Sequence, residues 1–138
     1  MKPNITPDLL NATAQQTLAS HLGIEFIEVG PDFLKAKMPV DARTIQPLGL
    51  LHGGASVALA ETVGSVACSL RLDPAHQTCV GLEINANHIK SVRSGYVYGT
   101  ARPIHLGRKT QVWEIKITDE AEELISISRL TMMILDKR

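Results

Sequence analysis

The sequence lacks net charge and has no long basic run. It contains 14 basic and 14 acidic residues, which gives a formal net charge of zero. No run of Lys or Arg is longer than a pair such as Arg108-Lys109. Domains that bind nucleic acid usually carry a basic face, and we therefore expect no nucleic-acid partner.

The chain is also poor in cysteine. Its two cysteines, Cys68 and Cys79, fall in a predicted helix and a predicted strand, with no CxxC motif and no cluster of histidines beside them. This spacing favours two buried, reduced thiols in a cytoplasmic protein. The sequence shows neither metal-ligand spacing nor a glycine-rich phosphate loop, so we expect no metal and no cofactor.

Long apolar runs are missing as well. The first twenty residues contain no continuous apolar segment of the signal-peptide kind. The only uncharged stretch that approaches the length of a membrane span is Thr44–Ala60, which contains Gly, Pro, His and Gln. A buried segment is the better interpretation, and we expect no membrane association.

What the chain does have is the composition of a globular protein, with 44% hydrophobic and 20% charged residues. Its 138 residues fit one domain with a sizeable core. Because it shows no repeat, low-complexity tract or linker, we predict a single domain over residues 1–138.

Turn residues and alternating apolar residues divide the chain into short elements. Thr6 as a cap and Pro7 in the first turn predict a helix to about Ala14, followed by a helical turn near Thr17–His21. Six strands are predicted, over Ile24–Val29, Phe33–Pro39, Thr78–Ile89, Gly95–Ile104, Lys109–Thr118 and Leu124–Leu135.

The longest predicted helix, roughly residues 53–70, lies between the second and third strands. Tight links between strands and one long helix indicate an α+β protein, in which an antiparallel sheet curls round that helix. The first two strands are predicted to form a hairpin. Residues 130–135 are apolar on both faces of their strand, which indicates a contact with another subunit.

The long helix has an unusual composition. The loop before it ends in His52-Gly53-Gly54, and the helix that follows is nearly all apolar or small, as in helices buried all round. Glu61 is the only formally charged residue between Arg43 and Arg71. A carboxylate in such a helix is costly unless it is paired, hydrogen-bonded or used in chemistry.

His52 and Glu61 are nine positions apart. On an α-helix nine positions correspond to about 900° of rotation and a rise of roughly 13.5 Å, so the two residues lie on opposite sides. One helix therefore cannot present both to the same small group. If both act on one substrate, they come from two copies of the chain, and we predict a homodimer with shared sites.

From Leu10 to Leu135 the sequence resembles the hotdog-fold acyl-CoA thioesterases, with the 4-hydroxybenzoyl-CoA thioesterase type as the nearest branch. The motifs that carry the resemblance are Met38-Pro39-Val40-Asp41, Arg43-Thr44, Gln46-Pro47, Leu50-Leu51-His52-Gly53-Gly54 and Glu61. The resemblance implies a hotdog fold, in which a six-stranded antiparallel sheet wraps round one long helix. It also implies active sites at a dimer interface and dimers that commonly assemble into tetramers.

Two later motifs narrow the resemblance. They are Val80-Gly81-Leu82-Glu83-Ile84-Asn85-Ala86-Asn87-His88 and His105-Leu106-Gly107-Arg108. Both are similar to motifs of the bacterial 1,4-dihydroxy-2-naphthoyl-CoA thioesterases of menaquinone synthesis. The thioesterases that proofread aryl-carrier protein in enterobactin assembly share much of the pattern. The resemblance thus implies an aromatic CoA thioester as substrate, with proofreading of aryl-carrier protein as the alternative.

By the same resemblance, Glu61 is the catalytic carboxylate, acting as nucleophile or as general base for water. The backbone amide of Gly53, at the helix N-terminus, polarises the thioester carbonyl. Gln46 and His52 match positions that donate to the carbonyl or to the departing sulfur, although a lone His before a helix is more often a cap. Ser65, one turn after Glu61 on the same face, either orients the carboxylate or simply packs.

The resemblance further implies a binding site for the coenzyme A portion of the substrate. Its residues are Gly81, His88, Ile89, Lys90, Ser91, His105, Leu106, Gly107, Arg108, Lys109 and Thr110. Lys90, Arg108 and Lys109 supply positive charge for phosphates, although exposed Lys and Arg mostly serve solubility. Coenzyme A enters here as part of the substrate and not as a cofactor.

Two other functions fit a His and an acidic residue on this fold. A hotdog hydratase or dehydratase acts on the acyl chain and releases no thiol from an enoyl-CoA. A non-catalytic acyl-CoA-binding module binds without turnover, but such regulators usually carry a DNA-binding segment for which 138 residues leave no room. Gln46 and Glu61 together favour neither. Leu48 stands where some family members have an aromatic residue, so we expect a different shape of acyl pocket.

Overall fold

The computed structural model describes residues 5–138 as six antiparallel strands and three helices. The helices are α1 (Pro7–Thr13), α2 (Leu18–His21) and α3 (Gly53–Ser69), and the strands are β1 (Glu25–Val29), β2 (Leu34–Pro39), β3 (Gln77–His88), β4 (Tyr96–Leu106), β5 (Thr110–Thr118) and β6 (Leu124–Asp136). The strands form one sheet in the order β1-β2-β4-β5-β6-β3. The α+β architecture predicted from the sequence is confirmed.

The element boundaries lie within two residues of the predicted ones. Thr6 caps α1, because its side-chain oxygen accepts the Leu9 amide at 3.2 Å. The largest difference is in β4, which continues past Ile104 to Leu106 because a bulge there restores its pairing with β5. The limits of 1–138 for a single domain stay a prediction, since residues 1–4 lie outside the described part.

The core forms between α3 and the inner face of the sheet. Leu59 and Val63 of α3 are fully buried, as are Ile115 and Ile117 of β5 and Leu130 of β6. Fully burying one such side chain contributes about 1.5–3 kcal/mol, so this contact fixes α3 along the sheet. The residues that alternate with Ile115 and Ile117 in β5 lie on the other face of the sheet, as the alternating apolar pattern of the strand predicted.

The sheet does not bury α3 all round in a single chain. Six residues at helical spacing are only half-buried: Val57, Ala58, Glu61, Thr62, Ser65 and Val66. We call them the open stripe of α3. The sheet ends at β3, and this strand has no neighbour on its outer edge within residues 5–138. Over the same residues, no helix is long and apolar enough to cross a membrane.

The two thiols lie together between α3 and β3. Cys68 is fully buried and Cys79 is half-buried, and neither forms a disulfide. The Cys79 thiol contacts the Ser65 carbonyl oxygen at 3.9 Å. Its hydrogen bond with the Cys68 thiol lowers the pKa of Cys79 to about 7, whereas that bond and burial raise the pKa of Cys68.

We expect Cys79 to be alkylated selectively in the native protein. Its reaction with iodoacetamide should accelerate between about pH 6 and pH 8 as the thiolate forms, while Cys68 stays protonated and unmodified. Peptide mass spectrometry after timed labelling measures both rates. Cys68→Ala should move the Cys79 midpoint upward, whereas Cys68→Ser keeps a donor and should leave it low; equal labelling of both cysteines would contradict the assignment.

Candidate active site

The loop before α3 is held in shape by its own hydrogen bonds. The His52 amide donates to the carbonyl of buried Thr44, and the Gln46 amide donates to the Leu50 carbonyl, both at 2.8 Å. The side-chain carbonyl of Gln46 accepts a short hydrogen bond from the Leu48 amide. With its oxygen occupied in this way, the side chain of Gln46 keeps its NH₂ group as a donor for a ligand.

The N-terminus of α3 offers one free backbone donor. The Gly54 amide donates to His52 Nδ1 at 2.8 Å, and the amides of Ala55 and Ser56 donate to the His52 carbonyl at 3.0 and 3.1 Å. Within the described residues, this leaves Gly53 as the one amide of the first turn without a hydrogen-bond partner. Such an amide at the positive end of the helix dipole suits a developing oxyanion.

His52 caps α3, which is the ordinary role of a histidine at this position. Because its Nδ1 accepts a hydrogen bond, a neutral imidazole carries its proton on Nε2. The side chain is exposed, so Nε2–H remains available as a donor. The cap and the predicted contact with the thioester are therefore compatible, because they use different ring nitrogens.

A cavity of about 290 Å³ opens beside this helix terminus. It is lined by Gln46, Leu50, Leu51, Gly53, Ser56, His88, Ile89, Lys90, Ser91 and Ile125. The structure thus brings two predicted catalytic residues together with four residues predicted to bind coenzyme A. Four lining residues were missed from the sequence. The sequence could have indicated Ser56, because it follows Gly53 by one helical turn and therefore lies on the same face. Ile125 belongs to β6, and no local pattern places β6 beside the start of α3.

His88 lies directly over the start of α3. A Cβ added to Gly53 would lie 3.0 Å from His88 Nε2, so the imidazole occupies the space that a side chain would take. Gly53 therefore does two things at once. Its amide has no partner among the described residues, and its lack of a side chain lets His88 at the end of β3 close the cavity wall.

Glu61 of α3 contacts β3 at a different point, Gly81. A Cβ added to Gly81 would lie 2.5 Å from Glu61 Oε2. In a regular strand Gly81 and His88 would face opposite sides, since they are seven positions apart. Leu82 forms a bulge between Gly81, which pairs with Met132, and Glu83. The bulge turns both Gly81 and His88 toward α3.

One chain does not bring Glu61 to the free amide of Gly53. The two residues are eight positions apart in α3, roughly 12 Å along the axis, and Glu61 does not line the cavity. Ser65, on the same face as Glu61, donates its hydroxyl to Met132 Sδ at 3.7 Å. The residues predicted to be catalytic thus fall into two groups, one at the start of α3 and one at its middle.

The residues predicted to bind coenzyme A are divided in the same way. Arg108 and Lys109, in the turn between β4 and β5, line a cavity of about 730 Å³ that also includes Gln77, the first residue of β3. His88 is the last residue of β3. Eleven positions of extended chain separate Gln77 from His88, roughly 36 Å, so the two parts lie at opposite ends of one strand.

Charge in the region is partly balanced within the chain. Lys90 forms ion pairs with Asp119, at 3.3 Å, and with the carboxylate of Glu123. Arg108 and Lys109 are exposed. No group of three or more His, Cys, Asp or Glu residues within 5–138 is arranged to hold a metal ion.

Comparison with known proteins gives the family. A family model described as the thioesterase superfamily matches residues 48–126. The 1,4-dihydroxy-2-naphthoyl-CoA hydrolase of Escherichia coli is 53% identical over 134 residues, 97% of this chain and 98% of that protein. The proofreading thioesterase EntH of Cronobacter turicensis is 51% identical over 134 residues, 97% of each chain.

The fold agrees with solved structures. A thioesterase of Haemophilus influenzae superposes with a TM-score of 0.95 and 52% identity, over 98% of this chain and 94% of that one. A mutant thioesterase of Pseudomonas aeruginosa gives a TM-score of 0.96 and 46% identity, over 99% and 98%. The chain therefore belongs to the thioesterase superfamily, as an acyl-CoA thioesterase with the hotdog fold.

Proposed function

We propose that this thioesterase hydrolyses an aromatic acyl-CoA, with 1,4-dihydroxy-2-naphthoyl-CoA of menaquinone synthesis as its substrate, at sites shared by two subunits in the cytoplasm. One observation carries the proposal of shared sites. Gly53, whose amide has no partner among the described residues, lines a cavity together with Gln46, while the carboxylate of Glu61 lies against Gly81 on the same chain. A complete thioesterase site therefore needs a second chain.

The outer edge of β3 supplies the place for that second chain. An unpaired edge strand of twelve residues is a template for pairing with another strand. Antiparallel pairing of two β3 strands that sets Gly81 opposite the partner's His88 would bring Glu61 to the partner's Gly53. The same contact would cover the open stripe of α3 and continue the sheet across the dimer.

The chemistry follows from these positions. The thioester carbonyl oxygen accepts the Gly53 amide at the helix N-terminus, which makes the carbonyl carbon electrophilic. The partner's Glu61 attacks that carbon or removes a proton from the water that does. The C–S bond breaks, and the thiolate of coenzyme A leaves beside the donors of His52 or Gln46 and takes up a proton. Where Glu61 is the nucleophile, water then hydrolyses the anhydride between the acyl group and Glu61. The products are the free acid and the thiol.

The proposed dimer also reunites the two parts of the coenzyme A site. With Gly81 opposite the partner's His88, the partner's Gln77 lies four positions beyond the residue that faces His88, roughly 13 Å along the strand, and the partner's Arg108 and Lys109 lie with it. Two cations suit the phosphates of coenzyme A. Lys90 would have to exchange its carboxylate partners to join them. Ser65 takes a place beside Glu61 on the open stripe.

Exposed apolar residues on the outer face of the sheet support a tetramer. Val80, Leu82 and Leu135 are 47%, 56% and 40% exposed on the outer face of the sheet. Contiguous exposed apolar residues commonly mark a subunit contact. Light scattering of the purified protein tests this arrangement, and a stable dimer would show that the outer face stays uncovered.

The apolar cavity and the relatives support an aromatic acyl group. Leu50, Leu51, Ile89 and Ile125 give the cavity its apolar wall. The hydrolase of Escherichia coli and the proofreading thioesterase are almost equally similar to this chain, at 53% and 51% identity. Hydrolysis of aryl-carrier thioesters is therefore the second candidate, and substrate preference decides between the two.

A thiol-release assay with a small panel of thioesters tests the proposed substrate. The panel is 1,4-dihydroxy-2-naphthoyl-CoA, 4-hydroxybenzoyl-CoA, a medium-chain acyl-CoA and an aryl-carrier thioester. We expect kcat/KM to be highest for the naphthoyl ester, by about 10- to 200-fold over the medium-chain ester, which is the range that an apolar pocket can discriminate. EDTA should leave the rates unchanged. Preference for the carrier thioester would favour proofreading, and binding without thiol release would leave only a binding module.

A further inference from the structure

A side chain at position 81 would meet a single functional group. If Gly81 carried a Cβ, the only atoms within 4 Å among the described residues, its chain neighbours aside, would be Oε2 and Cδ of Glu61, at 2.5 and 3.6 Å. Real Cβ atoms do not approach to 2.5 Å, so one of the two groups would have to move. The absent side chain of Gly81 is thus the space that the Glu61 carboxylate fills.

The backbone does not demand glycine at this position. The glycines with a left-handed backbone are Gly23, Gly49 and Gly95, and Gly81 is not among them. It pairs with Met132 in the β3–β6 ladder. Glycine within a strand loses conformational entropy and packs nothing. The backbone conformation would accept alanine, and the one obstacle is the carboxylate.

The length of Glu61 matches this gap. The side chain leaves the open stripe of α3 and ends against the bare Cα of Gly81, just before the bulge at Leu82. Aspartate, which is one methylene shorter, would not reach the same point. The strand surface at Gly81 therefore sets where the carboxylate stops.

We propose that Gly81 is a positioning residue for Glu61, and not primarily a binding residue for coenzyme A. Because Gly81 has no side chain, the carboxylate of Glu61 can extend to the depth from which it reaches the thioester bound by the partner's Gly53. This inference rests on the proposed role of Glu61. It differs from the role in binding coenzyme A that the resemblance implies for Gly81, because Gly81 is here expected to control kcat and not the affinity for coenzyme A.

Gly81→Ala separates the two roles. Displacing a reacting group by about 1 Å can cost up to roughly 100-fold in rate, so we expect kcat to fall on the order of 10- to 100-fold. KM for the preferred ester and the affinity for free coenzyme A, measured by calorimetry, should change less than about threefold. A higher KM with unchanged kcat would assign Gly81 to coenzyme A, and unchanged kcat and KM would also overturn the proposal.

Shortening Glu61 provides the rescue test. In a Glu61→Asp background the carboxylate no longer fills the gap, so adding Gly81→Ala should lower kcat by less than about threefold, a strong departure from additivity. The full loss of the single variant in that background would contradict the proposal. If Glu61→Asp is no more active than Glu61→Gln, the split between kcat and KM in Gly81→Ala decides alone.

Gly64→Ala is the matched control. Its Cβ would lie 2.6 Å from Leu130 Cδ2 and 3.2 Å from Ile115 Cδ1, so it meets the core and no carboxylate. We expect it to lower Tm with little change in kcat, whereas Gly81→Ala should keep Tm and lose kcat. A loss of Tm in Gly81→Ala that accounts for its activity would overturn the proposal. Absence of thiol release by the unmodified protein would instead reject the proposed function.

Discussion

Glu61→Gln is expected to lower kcat for the preferred aromatic CoA thioester by at least about 100-fold, and up to roughly 10⁴-fold. The amide has the size of the carboxylate but neither attacks a carbonyl nor removes a proton from water. Because glutamine keeps the size of the side chain, the substitution should leave the fold and Tm intact. Steady-state thiol release with wild type and variant measures the effect.

A matched control separates this loss from a general effect of charge. Glu114→Gln makes the same change on the outer face of the sheet, where the carboxylate pairs with Lys116 at 3.5 Å. Its kcat should stay within about twofold of wild type, as is usual for a surface substitution. If Glu61→Gln keeps more than about a tenth of the wild-type kcat, Glu61 belongs to a structural polar network and the proposed mechanism fails.

A single turnover in ¹⁸O water detects nucleophilic attack by Glu61 when the anhydride is hydrolysed at the Glu61 carbonyl. If Glu61 is the nucleophile, the labelled oxygen enters its carboxylate when the anhydride is hydrolysed on the enzyme side, and the first acid released is unlabelled. If Glu61 is the general base, water attacks the thioester directly and the first acid carries the label. Mass spectrometry of the product and of the peptide that contains Glu61 measures both outcomes.

Local patterns predicted the fold because each element carries its own signal. Thr6 and Pro7 mark a helix start by capping chemistry, and the alternation in β5 marks its buried face directly. The free amide of Gly53 was likewise predictable, since the first amides of a helix that starts after His52 have no partner within the helix. These inferences need only neighbours in sequence.

The contact between Glu61 and Gly81 was not predictable in that way. It depends on the bulge at Leu82, which turns Gly81 and His88 to the same face and has no signature in the sequence. The ion pairs of Lys90 with the turn before β6 are equally nonlocal. Both arise from how distant strands register against one another, and that register is set by the packing of the whole sheet.

Mixing two inactive variants should restore activity if the site is shared. In a mixed dimer of Glu61→Ala and His52→Ala chains, one site carries both changes and the other carries neither. Random exchange makes half of the dimers mixed, so about one quarter of the wild-type activity is expected in a two-fold dimer. Each variant alone should show almost none, because both of its sites lack the same group.

Three controls make this experiment decisive. Mixing Glu61→Ala with Glu61→Gln should restore nothing, because no combination contains an intact carboxylate. His52→Asp should behave like His52→Ala, although it retains an acceptor for the cap of α3, which excludes loss of the cap as the cause of inactivity. Co-purification of chains with two different tags demonstrates exchange.

If exchange occurs and no activity returns, Glu61 and His52 do not meet across subunits, and pairing through β3 loses its functional support. Recovery near one quarter would instead place the carboxylate of one chain at the helix terminus of the other, which is the arrangement that the separation of Glu61 from Gly53 along α3 requires.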